Sequence, residues 1–364
     1  MVGEARTTLV EEAGHTIVLA DAPTIPGLIF RCFRGELDYP SMVAVIEGSK
    51  EVDGLERTDT VQDVARFYDN LVNCDPYQDM LFAEVDGDVI GYSRVMWAVG
   101  PEGQRYYRHF TYLLPDWRGT GIRQAMLRHS ERRLGDIAAE HQETGTFWFE
   151  TYATGTEHHW ENLLIAEGYQ AAQYRFQMVR PHLTEIPDLP LPEGLEVHPV
   201  GPEDTYAVWL AAKEAYQEAW WYTEEGWSDQ RYEAWKQDPT FDPRLWQVAW
   251  DGDQVAGMVL NYISVEENRE YGRKRGYTET ICVRRPWRRR GLARALLARS
   301  LRVLQQQGQA EAALSVDAEN PSGALRLYTS MGFIVHKQTA VFRKPLARSW
   351  PEEKGNQVTR EKSG

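Results

Sequence analysis

Hydrophobic and polar residues alternate in two well-separated stretches of the chain. The first covers residues 81–91, LFAEVDGDVIG, and the second covers residues 246–257, WQVAWDGDQVAG. In both stretches an Asp-Gly pair lies between apolar residues at every second position, which is the pattern of two antiparallel strands joined by a tight turn. We therefore predict a β-hairpin in each stretch.

The segments around the two hairpins also match each other in order. Each hairpin follows a short strand that leads into a helix, and precedes a strand–turn–helix segment and a strand–loop–helix segment ending in glycine and an aromatic residue. The first copies cover residues 27–46, 81–91, 110–127 and 147–169, and the second copies cover residues 194–216, 246–257, 280–297 and 313–333. Four matches at a near-constant offset indicate duplication of a whole domain.

The pattern of each repeat predicts the element order β-α-α-β-β-β-α-β-α-β-β. This order describes an α/β unit with a largely antiparallel sheet and one βαβ crossover. Residues 180–194, RPHLTEIPDLPLPEG, contain four prolines, which disfavour helix and central strand. We predict an N-terminal domain over residues 1–183, a Pro-rich linker over 184–193, a C-terminal domain over 194–347 and a tail over 348–364.

The composition of the 364 residues, 42% hydrophobic and 26% charged, is that of a globular protein and excludes a disordered chain. No apolar run approaches the roughly 18 residues that span a bilayer, and the N-terminus does not resemble a secretory signal. The three cysteines, Cys32, Cys74 and Cys282, are scattered. They exclude a disulfide framework and predict a cytoplasmic protein without a membrane partner.

The net charge of −14 makes nucleic acid an unfavourable partner, but one segment is strongly basic. No acidic residue lies between Glu279 and Glu311, whereas eight arginines do. Within this segment a predicted strand ends at Val283, Pro286 stops it, and a helix begins near Gly291. Because a helix N-terminus after a glycine turn presents free N–H groups, this place suits a phosphate. A solvated basic helix face remains the alternative.

Residues 288–293, RRRGLA, fit the R/Q-x-x-G-x-G/A pyrophosphate loop of the GNAT superfamily of N-acetyltransferases. Residues 320–333, NPSGALRLYTSMGF, resemble that superfamily's second signature, N-x3-A-x3-Y-x3-G-F. The resemblance covers residues 194–346 well and 27–180 in outline. It implies two tandem GNAT-like domains, each a mixed, largely antiparallel twisted sheet flanked by helices, with a degenerate N-terminal repeat.

The resemblance also implies roles for residues of the second repeat. Tyr328 would protonate the departing CoA thiolate, although a core aromatic is the alternative. Acetyl-CoA, or another acyl-CoA, would be the co-substrate. The residues that would hold it are Ile281, Cys282, Val283, Arg288, Arg289, Arg290, Gly291, Leu292, Ala293, Arg294 and Asn320.

The general base is harder to assign. Many members of the superfamily place a glutamate where this chain has Tyr277. Glu279 lies two residues further, on the same face of the strand unless a bulge intervenes, and is our candidate. An ion pair with nearby arginines is the alternative role for Glu279, and Glu266 and Glu267 are weaker candidates for the base.

No metal site is predicted, because the nine histidines lack metal-binding spacing and His158-His159 lies outside an HExxH pattern. Cys282, on a strand between Ile281 and Val283, is expected to be a buried, inert thiol.

The first repeat departs from the pattern at its functional positions. Arg118 and Gly121 fit the loop, but Arg123 replaces the small residue found at Ala293. Leu164 lies opposite Tyr328 and cannot donate a proton, and Thr156 lies opposite Asn320. We therefore predict that the first repeat is catalytically silent, and we leave open whether it binds CoA.

The second repeat has an aromatic stretch interleaved with acids, which favours a cationic acceptor or else forms core. Its residues are Tyr216, Trp220, Trp221, Tyr222, Trp227, Tyr232, Trp235 and Trp246, with Glu214, Glu218, Glu224, Glu225 and Asp229. The leading hypothesis is an acyl-CoA-dependent N-acyltransferase that acetylates an amine of a small molecule or peptide, as a monomer or homodimer. The alternatives are a non-catalytic CoA-binding sensor and an aminoacyl transferase that uses aminoacyl-tRNA.

Overall fold

The computed structural model describes residues 16–141, 145–319 and 323–346. Its strands are Thr16–Ile17 (β1), Leu28–Arg31 (β2), Met80–Val85 (β3), Asp88–Val99 (β4), Arg105–Leu113 (β5), Phe147–Thr154 (β6), Gln170–Arg180 (β7), Glu196–Val197 (β8), Gln247–Asp251 (β9), Gln254–Tyr262 (β10), Arg275–Val283 (β11), Glu311–Asp317 (β12) and Ile334–Pro345 (β13). Its α-helices are Tyr39–Asp53 (α1), Val61–Asp69 (α2), Pro76–Asp79 (α3), Ile122–Glu140 (α4), His158–Ala166 (α5), Thr205–Tyr216 (α6), Asp229–Lys236 (α7), Val265–Glu270 (α8), Leu292–Gln306 (α9) and Ala324–Ser330 (α10). None of the helices within these ranges is long and apolar enough to cross a membrane.

The two repeats share one architecture, as the matching patterns predicted. Over the described residues the strands form a single sheet in the order β1-β2-β3-β4-β5-β6-β13-β7-β12-β11-β10-β9-β8. Neighbouring strands are antiparallel except for β5–β6 and β11–β12, the parallel pair that the βαβ crossover of each repeat produces. The mixed, largely antiparallel sheet flanked by helices is therefore confirmed.

Both predicted hairpins are present. In the first, Val85 pairs with Asp88 across a turn in which Asp86 and Gly87 have φ angles of 53° and 93°. Positive φ at both central positions is the geometry of a type I′ turn, which is why aspartate and glycine occur there. In the second hairpin Asp251 pairs with Gln254, so the turn is Gly252–Asp253, one residue later than in the first.

The end of each repeat differs from the prediction of two final strands. Each repeat ends in one long strand, β7 or β13, and these two strands are exchanged. The last strand of the first repeat pairs with β12 of the second, and the last strand of the second repeat pairs with β6 of the first. Since β7 and β13 also pair with each other, the sheet runs without a break through both repeats.

Contacts between the repeats extend beyond the exchanged strands. Residues 181–195 contain no helix or strand, and this segment packs on the second repeat, where Leu183 is 3% exposed and Arg302 of α9 donates to the Pro187 carbonyl. Glu56 of the first repeat forms ion pairs with Arg273, Arg275, His336 and Lys337 of the second. The relative position of the repeats therefore rests on strand pairing, packing and buried charge. The tail predicted at residues 348–364 lies outside the described residues.

Candidate active site

A bulge in β11 opens a gap in the sheet. On one side β11 pairs with β10, and the register shifts between Leu260–Glu279 and Met258–Cys282, where Thr280 has a φ angle of 47°. On the other side the parallel pairing with β12 ends at Tyr277–Ala313. Beyond that pair no further β11–β12 pairing occurs among the described residues, so the rest of this edge of β11 has no strand partner there.

A helix N-terminus lies at the end of β11. Gly291 caps α9 with a φ angle of 85°, and the first helical hydrogen bond runs from the Ala295 amide to the Gly291 carbonyl at 3.1 Å. The amides of residues 292–294 therefore have no acceptor within the helix. A Cβ atom built on Gly291 would meet no atom of the described residues within 4 Å, so a ligand can approach this glycine closely. The residues present fit a bound pyrophosphate.

The arginines of the loop divide into three groups, one of which is Arg290 alone, whose guanidinium donates to the Glu193 carbonyl at 2.8 Å. Arg284, Arg285 and Arg288 form ion pairs with Glu214 or Glu218 of the preceding helical segment. Within the described residues, Arg289 and Arg294 are exposed and form no ion pair, so their charges face solvent. The pairing corrects one sequence inference, because Glu214 and Glu218 neutralise the loop and do not face an acceptor cleft.

Tyr328 lies on α10 and is 5% exposed. Its ring packs edge-to-face against Phe333, with 6.2 Å between the ring centroids. Burial raises the pKa of Tyr328 above its ordinary value, and the nearby Glu279 carboxylate raises it further. The phenol is therefore protonated at neutral pH and can act as a proton donor.

Glu279 lies at the gap between β11 and β12. The bulge begins after Glu279, so the alternation that places Glu279 and Tyr277 on one face of β11 is preserved. Burial raises the pKa of Glu279 to about 7, with Arg175 and Ser315 opposing the rise. A carboxyl group with this pKa can accept a proton and release it near neutral pH.

The weaker candidates for the base differ from Glu279. Glu267 accepts a hydrogen bond from Tyr277 and forms an ion pair with Arg273, which occupies its carboxylate. Glu266 is exposed on α8. The structure therefore brings Glu279, but neither of the other two, into electrostatic contact with Tyr328.

The exchanged strand β7 adds a charge that the sequence did not indicate. Arg175 of β7 forms an ion pair with Asp317 at the end of β12, with 3.5 Å between Nε and Oδ1. Trp221 donates to the other carboxylate oxygen of Asp317 at 3.0 Å. No local pattern could have placed Arg175 here, because it belongs to the first repeat and reaches the second through strand exchange.

Cys282 and Asn320 are two further predicted residues. Cys282 is 8% exposed, and burial raises the pKa of its thiol to about 12, so the thiol stays protonated. Asn320 lies outside the described residues. Within those residues no group of acids, histidines and cysteines could hold a metal ion.

A cavity of about 420 Å³ reaches Glu279 from the side of α7. Its wall carries five acids. Three lie on β11 and α8, one follows α7, and one belongs to α2 of the first repeat. These are Glu266, Glu267, Glu279, Asp238 and Asp63, together with one arginine, Arg66. A second cavity of about 320 Å³ adjoins it at Trp235 and Thr280, and is lined by Trp209, Trp221 and Trp227.

The aromatic stretch therefore has two parts. Tyr222 and Tyr232 are at most 8% exposed and belong to the core, as the alternative interpretation held. Trp246 is 5% exposed and also lines the cavity that contains Glu279. Trp221, Trp227 and Trp235 line the cavities. The acids that face the cavity are not those interleaved in the aromatic stretch, since several come from more distant segments.

The corresponding gap in the first repeat is filled with protein side chains. β5 has no bulge, and Phe110 takes the register position of Glu279. The Arg123 guanidinium donates to the Thr111 carbonyl at 2.7 Å and stacks on the buried Trp160 ring at 4.0 Å. These contacts occupy the edge of β5 that corresponds to the free edge of β11.

The remaining loop residues of the first repeat are also engaged. Arg118 forms two hydrogen bonds of 2.6 Å with Asp53 of α1, and the Thr156 hydroxyl donates to the Asp53 carbonyl. Leu164, at the position of Tyr328, is fully buried. The packed first repeat offers neither the free strand edge nor the proton donor of the second.

Comparison with known proteins agrees with this geometry. The model of the acetyltransferase (GNAT) family matches residues 212–333. A GCN5-related N-acetyltransferase from Sphaerobacter thermophilus is similar over 88% of this chain and 97% of its own, with 26% identity and a TM-score of 0.66. Residues 212–333 therefore form a domain of the GNAT family, and the chain is similar to a GNAT protein over most of its length.

Two relatives share the name mycothiol acetyltransferase. The one from Geodermatophilus obscurus is 26% identical over 73% of this chain and 82% of its own length. The one from Streptomyces coelicolor is 29% identical over 44% of this chain, and the match spans about half of that relative, 49%.

Proposed function

We propose that this protein is an acetyl-CoA-dependent N-acetyltransferase whose working site is the gap between β11 and β12. The observation that carries the proposal is the meeting of three features at this gap. They are a free strand edge on β11, an open helix N-terminus at Gly291, and a proton acceptor and donor in Glu279 and Tyr328.

The gap suits acetyl-CoA as a substrate. The pyrophosphate would accept hydrogen bonds from the amides at the start of α9, where the helix dipole and the exposed Arg289 and Arg294 favour negative charge. The pantetheine arm would pair with the free edge of β11 around Ile281 and Val283. A backbone N–H of this edge would polarise the thioester carbonyl, which is where negative charge develops during attack.

Transfer needs a neutral amine and a protonated leaving group. The ammonium form of the acceptor loses a proton to Glu279, and the free amine attacks the thioester carbonyl carbon. The carbon–sulfur bond then breaks, and Tyr328 donates its proton to the CoA thiolate. The nitrogen of the new amide gives its extra proton to the Tyr328 phenolate, which restores the phenol. The enzyme supplies orientation and proton transfer, and no covalent intermediate on the protein is required.

The acceptor class follows from the walls of the cavity. Asp63 is paired with Arg66 and Glu267 with Arg273, which leaves Glu266, Glu279 and Asp238 to attract a cation. The neighbouring indole rings can stack on a cation. A small-molecule or peptide amine fits this environment. The names of the two relatives add the unacetylated precursor of mycothiol to the acceptors that should be tested.

Tyr328→Phe tests the proposal. Acetyl-CoA consumption is measured with a panel of amines, while calorimetry follows acetyl-CoA binding. We expect kcat to fall by about 10²–10⁴ with acetyl-CoA affinity unchanged, because the lost hydroxyl acts only in transfer. Tyr206→Phe, which removes an exposed hydroxyl elsewhere, is the control.

An unchanged kcat in Tyr328→Phe would show that Tyr328 is not the general acid. Tight acetyl-CoA binding by the wild-type protein without transfer to any amine would favour the non-catalytic CoA-binding alternative.

A further inference from the structure

A third cavity, of about 520 Å³, lies between the two repeats and is named here the interlobe pocket. The first repeat contributes Phe67, Tyr68 and Arg94 to its wall, and the second contributes Arg231 and Asp238. Trp235 and Asp238 also line the cavity that contains Glu279. The interlobe pocket therefore adjoins the cavity that contains Glu279.

Arg94 is a buried cation that has no counter-charge among the described residues. It is 8% exposed, and its guanidinium stacks on the rings of Phe67 and Phe110 at 4.8 and 4.9 Å. Stacking engages the faces of the guanidinium and leaves the N–H groups in its plane free. Nη1 is buried without a hydrogen-bond partner, and no described residue supplies a carboxylate to Arg94.

Arg231 is the second cation of the pocket. It lies half-buried on α7, and within the described part of the chain it forms no ion pair. Burial lowers its pKa, and no acid opposes this effect. The pocket therefore holds one arginine from each repeat, and both can gain from an anion.

The other charges of the pocket largely satisfy one another. Arg57 forms a two-bond ion pair with Asp59, and Arg66 pairs with Asp63. Asp238 accepts hydrogen bonds from the Thr240 amide and hydroxyl, at 2.8 and 2.6 Å. After these pairings two arginines face one aspartate, so the pocket keeps a positive charge, in contrast to the acidic cavity beside it.

We propose that the interlobe pocket is a subsite for an anionic group of the acceptor, a carboxylate or a phosphate, held by Arg94 and Arg231. This inference rests on the proposed function, because it places the acceptor amine at Glu279. The acceptor is then a molecule with a cationic end in the acidic cavity and an anionic end between the repeats. The first repeat, although its own gap is filled, supplies part of the substrate site.

The test is calorimetric titration of the CoA-saturated protein with succinate and, separately, with inorganic phosphate. Saturation with CoA keeps both anions from the pyrophosphate site. We expect one anion site per chain, with affinity lowered about tenfold or more in Arg94→Met and in Arg231→Met, because each removes a charge-assisted hydrogen bond. Arg94→Lys should restore part of the affinity, and Arg132→Met, at an exposed arginine on α4, should change nothing.

The anion that binds with higher affinity, succinate or phosphate, shows whether the pocket prefers a carboxylate or a phosphate group. Arg231 is half-buried, so Arg231→Met remains informative if Arg94→Met fails to fold. Absence of anion binding in the wild-type protein, or affinity that is indifferent to both arginine variants, would overturn the subsite.

Matched acceptors separate this inference from the proposed function. Each amine carrying a carboxylate is compared with its uncharged amide, and the preference for the carboxylate should disappear in Arg231→Met. Anion binding that requires both arginines, without acetylation of any amine, would support the subsite and contradict the acetyltransferase. Acetylation that never distinguishes the carboxylate from the amide would contradict the subsite alone.

Discussion

Gly291→Asp tests the location of the pyrophosphate with little disturbance of the fold. Gly291 has a φ angle of 85°, a conformation that costs a side-chain-bearing residue about 1 kcal/mol, and aspartate is among the residues that tolerate it best. A Cβ atom at this position meets no atom within 4 Å, so no steric cost is added. We expect the free energy of unfolding to fall by no more than about 1–2 kcal/mol.

The effect on binding should be larger. A carboxylate roughly 5 Å from one phosphate charge, at an effective dielectric constant of about 20, is repelled by about 3 kcal/mol. This corresponds to a loss of more than about 100-fold in acetyl-CoA affinity. Gly291→Asn has nearly the same shape and backbone preference without the charge, so the difference between the two variants isolates the electrostatic contribution.

Isothermal titration of acetyl-CoA measures both affinity and stoichiometry. We expect one site per chain in the wild-type protein, abolished in Gly291→Asp and retained in Gly121→Asp, the same change in the first repeat. Gly121 has a φ angle of 91° and only ordinary contacts with Pro23, so the two aspartate variants carry similar backbone costs. Undiminished binding in Gly291→Asp would refute the placement of the pyrophosphate at the N-terminus of α9. Two acetyl-CoA sites per chain would show that the first repeat also binds CoA.

Three further predictions concern ionisation and the filled gap. Because burial raises the pKa of Glu279 to about 7, kcat/KM should rise with pH up to about 7, and Glu279→Gln should remove this dependence; a rise that persists in the variant would exclude Glu279 as the base. Burial alone would raise the pKa of Glu56, but hydrogen bonds from Arg273 and His336 lower it below its ordinary value. The Glu56 carboxylate therefore stabilises the fold fully at pH values above its ordinary pKa. This stabilisation is lost as the pH falls through the lowered pKa. Urea unfolding of Glu56→Gln at pH 7 should show a loss of about 2–3 kcal/mol that shrinks in acid, and a loss independent of pH would contradict this explanation. Arg123→Ala should lower the free energy of unfolding by about 2–4 kcal/mol in the same assay, and the variant should still bind one acetyl-CoA per chain. A second acetyl-CoA site would show that the Arg123 side chain alone prevents CoA binding to the first repeat.

Much of the fold followed from local patterns. The two hairpins depend on alternation and on the backbone preferences of Asp-Gly, which act over a few residues. The loop before α9 depends on Pro286, which ends the strand, and on Gly291, which caps the helix that begins at Leu292. These features were predictable because each is decided by neighbours along the chain.

The filled first repeat was predictable only in part. The unexpected side chains at Arg123 and Leu164 pointed to a silent site. Their effect required the structure, because the contact of Arg123 with Trp160 and the loss of the bulge at Phe110 depend on packing between separate elements.

By itself the sequence determined the duplication and the largely antiparallel α/β units, and it predicted a phosphate-binding loop and the candidates Tyr328 and Glu279. Tertiary structure alone decided the exchange of β7 and β13, which carries Arg175 into the second repeat, and the pairing of Glu214 and Glu218 with the loop arginines. It also created the pocket between the repeats. The physical reason is that backbone preferences act locally, whereas strand partners, ion pairs and cavities arise from the total energy of segments that are distant in sequence.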